Sequence, residues 1–191
     1  MFKQILVAVD GSPTSNRGLK AAIGLAADQH ASLAIVHVVD TMASMAYVGD
    51  MSYVPASYVD DMLEDLRANG RRILAKAESQ ARDAGVEAKT FLVETKGGTV
   101  AEAILAQARK ARADVIVLGT HGRRGLSRVL MGSDAETVLR EARIPVMLVR
   151  APETAARTGA AKATRSRARS AARKKASAPG APARTRETTQ S

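Results

Sequence analysis

Gln4-Ile5-Leu6-Val7-Ala8-Val9-Asp10-Gly11-Ser12-Pro13 decides the fold. The apolar run does not alternate with polar residues, which predicts a strand covered on both faces. It stops at Asp10-Gly11. Ser12-Pro13 then reads as an N-cap followed by proline in the first helical turn. The helix should run to about Gln29, with Leu19, Ala22, Ile23 and Ala26 on one face. A buried strand that turns directly into a helix is the start of an alternating α/β chain.

The same alternation continues to Arg150. Leu33–Val39 is a second strand. Thr41–Ser57 is rich in Met and Tyr, has no clear period, and is long enough for a loop to suggest function. Val59–Ala84 reads as a helix with Met62, Leu63, Leu66, Ile73, Leu74 and Ala77 on its buried side. Asn69-Gly70 weakens its middle, which leaves two shorter helices open. Lys89–Glu94 is a third strand. Thr99-Val100-Ala101-Glu102 matches a capping box at the head of a helix ending near Arg112. Val115–Leu118 is a fourth strand, ending at Gly119. Ser133-Asp134-Ala135-Glu136 matches a second capping box and starts a helix to Ala142. Val146–Val149 is a fifth strand, entered through Pro145. Strands separated by helices imply a parallel sheet with right-handed crossovers and helices on both faces. Ligands of such sheets bind beyond the carboxyl ends of the strands, where strand order reverses. The loops to inspect are therefore Asp10–Ser15, Val38–Thr41 and Gly119–Ser133.

The last of these carries the most chemistry. It reads Gly119-Thr120-His121-Gly122-Arg123-Arg124-Gly125-Leu126-Ser127-Arg128-Val129-Leu130-Met131-Gly132-Ser133. Glycines let a ligand approach the backbone closely. The helix that follows presents unpaired N–H groups and a partial positive charge at its start. Arg123, Arg124 and Arg128 add charge at the rim. A phosphate chain would suit this loop. So would an ordinary glycine-rich turn with solvated arginines, and loop physics alone leaves both open.

Composition narrows the rest. The 191 residues carry 29 Lys and Arg against 19 Asp and Glu, a net charge of +10. Residues 1–150 hold 19 basic and 17 acidic side chains, a net of +2; residues 151–191 hold 10 and 2, a net of +8. The basicity therefore belongs to the tail. From Ala151 to Ser191 there is no Val, Ile, Leu, Met, Phe or Tyr, so this segment cannot offset its ordering entropy and should be disordered. Its dense cations, among them Arg165, Arg167, Arg169, Arg173, Lys174 and Lys175, suit nonspecific, salt-sensitive attraction to nucleic acid or another polyanion. It has no large apolar anchor for a membrane surface. Cysteine is absent, which excludes disulfide scaffolds, thiol chemistry and Cys-containing zinc sites. Tryptophan is absent and only 2 Phe and 3 Tyr are present, which argues against a base-stacking platform. Ile5–Val9 is too short for a signal-peptide core, and no apolar stretch is long enough to cross a bilayer. The expectation is a soluble, cytoplasmic protein.

Other catalytic plans find no support. There is no G-x-x-x-x-G-K-[ST], no G-x-G-x-x-G after the first strand and no G-x-S-x-G elbow. His30 should end a helix, and His37 reads as a satisfied residue of a buried strand. His121 sits inside the glycine-rich loop, suited to phosphate contact or loop shaping, with slow hydrolysis as the alternative. No carboxylate pair has catalytic spacing and no H-x-x-x-H metal pair exists.

Gly119-x2-Gly122-x9-Gly132-Ser133 matches the G-2x-G-9x-G-S/T motif of nucleotide-binding universal stress proteins. Val7-Ala8-Val9-Asp10-Gly11-Ser12, His37-Val38-Val39-Asp40 and Ile144-Pro145-Val146-Met147-Leu148-Val149 also resemble landmarks of that family. The resemblance covers about residues 1–150 and not the tail. It implies a Rossmann-like, adenine nucleotide alpha hydrolase-like domain over 1–150, with a five-stranded parallel sheet in the order 3-2-1-4-5. It implies ribose or adenine contact at Asp10 and a backbone contact to adenine at Val38. Gly119, Gly122, Arg123, Gly132 and Ser133 would line the phosphates. ATP is the expected ligand, with Mg²⁺ held mainly by phosphates and water. A homodimer through Val146–Val149 is expected too. The implied role is a stress-linked sensor or regulator rather than a fast enzyme. Slow ATP hydrolysis or autophosphorylation in the same pocket, or polyanion association through the tail, are the alternatives.

Overall fold

The computed structural model describes residues 1–41, 56–95, 97–120 and 132–150. Through them run β1 (Gln4–Ala8), α1 (Pro13–Gln29), β2 (Ser32–Val39), α2 (Ala56–Asp83), β3 (Ala88–Glu94), α3 (Val100–Lys110), β4 (Val115–Gly119), α4 (Ser133–Glu141) and β5 (Val146–Val149). The strands form one parallel sheet in the order β3-β2-β1-β4-β5, the expected architecture. Val7 lies between Ile35 of β2 and Val117 of β4. The order therefore reverses across β1, and the carboxyl ends of β1, β2 and β4 open on the same side.

The core follows from the pleat, because successive strand residues point to opposite faces. Ile5, Val7 and Val9 join Leu33, Ile35, Val115 and Val117 beneath Leu19, Ala22, Ile23 and Ala26 of α1 and Leu74, Ala77 and Ala81 of α2. Leu6 joins Ala34, Val36, Ile116 and Leu118 beneath Ile104 and Leu105 of α3 and Ala135 and Val138 of α4. Ile5, Leu6 and Val7 have no exposed surface. Each such side chain contributes roughly 1.5–3 kcal/mol by burial. An unbroken apolar run is what a strand with helices on both faces requires.

Local signals set the starts of α1 and α3. Ser12 caps α1 by accepting from the Ser15 N–H at 3.1 Å, and Pro13 occupies the first turn. Thr99 and Glu102 form the anticipated capping box: Thr99 Oγ1 accepts from Glu102 N, and Glu102 Oε2 accepts from Thr99 N at 2.8 Å. His30 closes α1 in the left-handed region, with φ 54°.

α2 is the single helix expected, and it runs through Gly70, which is buried against the sheet: a Cβ there would sit 2.7 Å from His37 Cδ2 and 2.6 Å from Leu92 Cδ1. Two helix boundaries change. α3 ends at Lys110 with Ala111 as its cap, short of Arg112, which turns to φ 52°. The second capping box does not form. Gly132 is the N-cap of α4, without a side-chain cap bond, and Ser133 is the first helical residue. The reason is tertiary. Gly132 N donates to Thr120 O at 2.9 Å, which fixes the chain one residue before the serine, and Glu136 N donates to Gly132 O.

Candidate functional site

The loop after β1 is locked by its own small polar side chains. Asp10 is partly buried, and its Oδ1 accepts from Ser12 N at 2.9 Å. Asp10 N donates to Ser15 Oγ at 3.2 Å, and that hydroxyl donates to Ser12 O. This is an Asx turn, in which the carboxylate stands in for a backbone group. Gly11 takes φ 80° to complete it. The Asp10 carboxylate is therefore held in place by the start of α1.

Val38 belongs to β2 and is partly buried. Its neighbour His37 is 3% exposed, and His37 Nδ1 lies 2.6 Å from Val9 O. That bond joins the end of β2 to the residue before Asp10. Farther along, Thr95 N donates to Val39 O, while Thr41 N donates to Thr95 Oγ1 at 3.0 Å. The ends of β2 and β3 are thus stitched together beside Val38.

The end of β4 presses against the start of α1. A Cβ on Gly119 would lie 2.9 Å from the Thr14 carbonyl carbon and 3.0 Å from Ser15 N. Gly18 keeps a second gap small, since a Cβ there would lie 3.4 Å from Gly119 N. Thr120 is 3% exposed and its N–H donates to Val149 O at 3.0 Å. With the Thr120–Gly132 bond, this closes the glycine-rich loop at its neck. Gly119, Gly132 and Ser133 therefore meet at one juncture, with Asp10 joined to it through the first turn of α1. Val38 flanks the other side of β1. Gly122, Arg123 and His121 lie outside the described residues.

The electrostatics have two signs. The first amides of α4 face the juncture with a partial positive charge. Asp134 and Glu136 stand in that same first turn. A polyphosphate here would need cationic company. Among the described residues, no group of three or more His, Cys, Asp or Glu side chains is placed to hold a metal ion.

Sequence reasoning overlooked several contributors. Ser15, Thr120 and Gly18 have no motif of their own. A glycine facing a glycine and a buried threonine after a strand are signals visible only once helix and strand are paired. His37 is buried and satisfied, as expected, but its partner is the backbone of the site loop.

The comparisons with known proteins agree on one family. The model of the Universal stress protein family matches residues 1–150. Universal stress protein YxiE of Bacillus subtilis is 34% identical over 151 residues, covering 78% of this chain and 100% of that one. The crystal structure of a protein from the universal stress protein family of Burkholderia pseudomallei is 38% identical, covers 78% of this chain and 96% of its own, and superposes with a TM-score of 0.62. Two structures at 24% identity share the fold. One is a universal stress protein in complex with cAMP, with a TM-score of 0.56, covering 79% of this chain and 98% of its own. The other is from Archaeoglobus fulgidus in complex with dAMP, with a TM-score of 0.54, covering 77% and 97%.

Proposed function

We infer the function from one premise: the chain belongs to the universal stress protein family. It binds an adenine nucleotide at the carboxyl ends of β1, β2 and β4 and acts as a stress-response sensor or regulator. The observation that carries this is the neck of the glycine-rich loop: Gly119 packs on the first turn of α1, which holds Asp10, and Thr120 holds Gly132 at the start of α4. Neighbours of the same fold bound to cAMP and dAMP support the ligand class.

Each residue has a chemical task in this reading. Asp10 accepts from a ribose hydroxyl. The backbone at Val38 meets the adenine edge. Gly119, Gly122, Gly132 and Ser133 leave room for the phosphates, and Ser133 donates its hydroxyl to a phosphate oxygen. Arg123 neutralises charge at the rim. ATP is the nucleotide that uses all of these groups, with Mg²⁺ arriving on its phosphates and offsetting Asp134 and Glu136. Residues 1–150 are the nucleotide-binding domain of a cytoplasmic homodimer, and residues 151–191, which lie outside the described residues, are a basic extension.

Calorimetric titration with MgATP tests the reading. Saturable binding that weakens at least tenfold in Asp10→Ala is the expected result. Absence of saturable binding at millimolar nucleotide would overturn it. Turnover measured in parallel decides whether the same pocket also hydrolyses ATP slowly.

A second reading is favoured by the charge of the tail, 10 basic against 2 acidic residues. The tail recruits nucleic acid or another polyanion by counterion release. Truncation after Arg150 should abolish salt-sensitive binding to DNA and RNA, and unchanged binding by the truncated chain would end this reading.

A further inference from the structure

We propose that His37 is a positioning residue for the ribose end of the nucleotide site: its imidazole fixes the Val9 carbonyl and so sets the Asp10 carboxylate. The inference rests on the nucleotide-binding reading above and goes beyond it by assigning a control point outside the ligand's reach.

The chemistry of the bond is one-sided. A carbonyl oxygen only accepts, so Nδ1 carries the hydrogen and donates to Val9 O across 2.6 Å. Val9 is buried, and its N–H is already committed to Val36 O at 2.9 Å. With both its backbone groups held by β2, Val9 has no freedom to rotate. The same peptide unit carries the Asp10 N–H, which donates to Ser15 Oγ, while Asp10 Oδ1 accepts from Ser12 N. The carboxylate is thus held from two directions, by α1 on one side and by His37 on the other.

The ring is itself immobilised. Gly70 of α2 lies so close that a Cβ would fall 2.7 Å from Cδ2 and 3.3 Å from Nε2. α2 is tied to the sheet nearby by Arg67, whose Nε and Nη2 donate to the Glu94 carboxylate at 2.8 and 3.3 Å. A histidine packed this tightly against a helical glycine is a rigid strut. His37 also sits between Val36, which holds Val9, and Val38, the backbone expected at adenine. One side chain therefore sets the spacing between the two strand ends that grip the nucleoside.

The experiment compares ATP with 2′,3′-dideoxy-ATP, both with Mg²⁺, by calorimetry on the full-length chain. Ribose hydroxyls are the groups Asp10 would read, so the unaltered protein should prefer ATP. His37→Leu removes the donor at similar volume and should cut that preference by about tenfold, toward equal affinity for the two ligands. His37→Asn keeps a side-chain N–H at the position of Nδ1 and should restore most of it. The ratio of affinities is read from folded, binding-competent protein, so a merely structural role would leave it unchanged. Retention of the full preference in His37→Leu, or equal loss in both variants, would overturn the inference. If the unaltered protein binds ATP without preferring it, the ribose role of Asp10 is wrong and the inference falls with it. If it binds neither ligand, the nucleotide reading itself is overturned.

Discussion

Single residues at the loop neck separate packing from binding. Gly119 and Gly132 belong to the same motif yet differ in what surrounds them. A Cβ on Gly119 would run into the backbone of Thr14 and Ser15, which cannot move without displacing the first turn of α1. Gly119→Ala should therefore destabilise the domain by about 1–3 kcal/mol, read as a lower urea midpoint; an unchanged midpoint would refute the tight contact. Gly132 has φ −63°, and a Cβ there would meet only Thr120 O at 3.6 Å. Aspartate fits this position and is a preferred N-cap, worth a few tenths of a kcal/mol over glycine. The added carboxylate would repel phosphates at close range. Gly132→Asp should thus keep or slightly raise stability while weakening MgATP binding more than tenfold. Intact binding in that variant would move the phosphates away from α4.

Asp114 offers a third test at this scale. Its Oδ2 accepts from Lys3 N at 2.6 Å and Gln4 N at 2.8 Å, anchoring the entry to β1. The amide of Lys3, then that of Gln4, holds the carboxyl below its ordinary value. A depressed carboxylate stabilises the fold above its unfolded pKa of about 3.9, and that stabilisation is lost as pH falls through the lower folded value. Asp114→Asn should lower the melting temperature at pH 7, and the gap from the unaltered protein should close as pH falls through the depressed folded value. A gap that persists undiminished into acid would contradict the assignment.

Helices and strands show why some structure was readable and some was not. Ser12 and Thr99 announce α1 and α3 because their capping partners lie three residues on. Ser133 carries the same signature and fails, because the start of α4 is set by the Thr120 carbonyl across the loop neck. Local chemistry proposes a boundary, and a tertiary hydrogen bond shifts it. α2 makes the same point. Asn69-Gly70 reads as a weak spot because glycine costs about 1 kcal/mol in a helix. Its reason lies on β2 and β3, in the ring of His37 and the methyl of Leu92. Gly70→Ala gains helix propensity but forces the ring or the helix aside. A net loss of about 1 kcal/mol, with weaker ATP binding, is the expected outcome by chemical denaturation and calorimetry. A stabilised variant would show that the contact yields freely. The site divides likewise. Asp10 and the glycines are legible as a motif, whereas His37, Thr120 and Gly18 matter through contacts that no spacing in the sequence encodes.

At the scale of the whole molecule the unbalanced feature is the far edge of the sheet. β5 pairs with β4 on one side and with no other described strand. Met147 is 37% exposed on this strand, and Leu139 of neighbouring α4 is 45% exposed. A short apolar strand with an open ladder invites a second strand, and in a homo-oligomer the simplest closed solution is a two-fold pairing of identical edges. The near-neutral body, with a net charge of +2 over residues 1–150, opposes such pairing only weakly. The chain should therefore be a dimer by light scattering in moderate salt, and Met147→Asp should convert it to a monomer. A two-fold pairing of β5 edges would bring a second carboxylate near the first, and their repulsion would oppose association. The substituted side chain is not in the core, so the melting temperature of each monomer should fall only by the lost association. A monomeric unaltered protein, or a dimer indifferent to the charge at Met147, would locate the interface elsewhere and leave the β5 edge as an exposed strand without a partner.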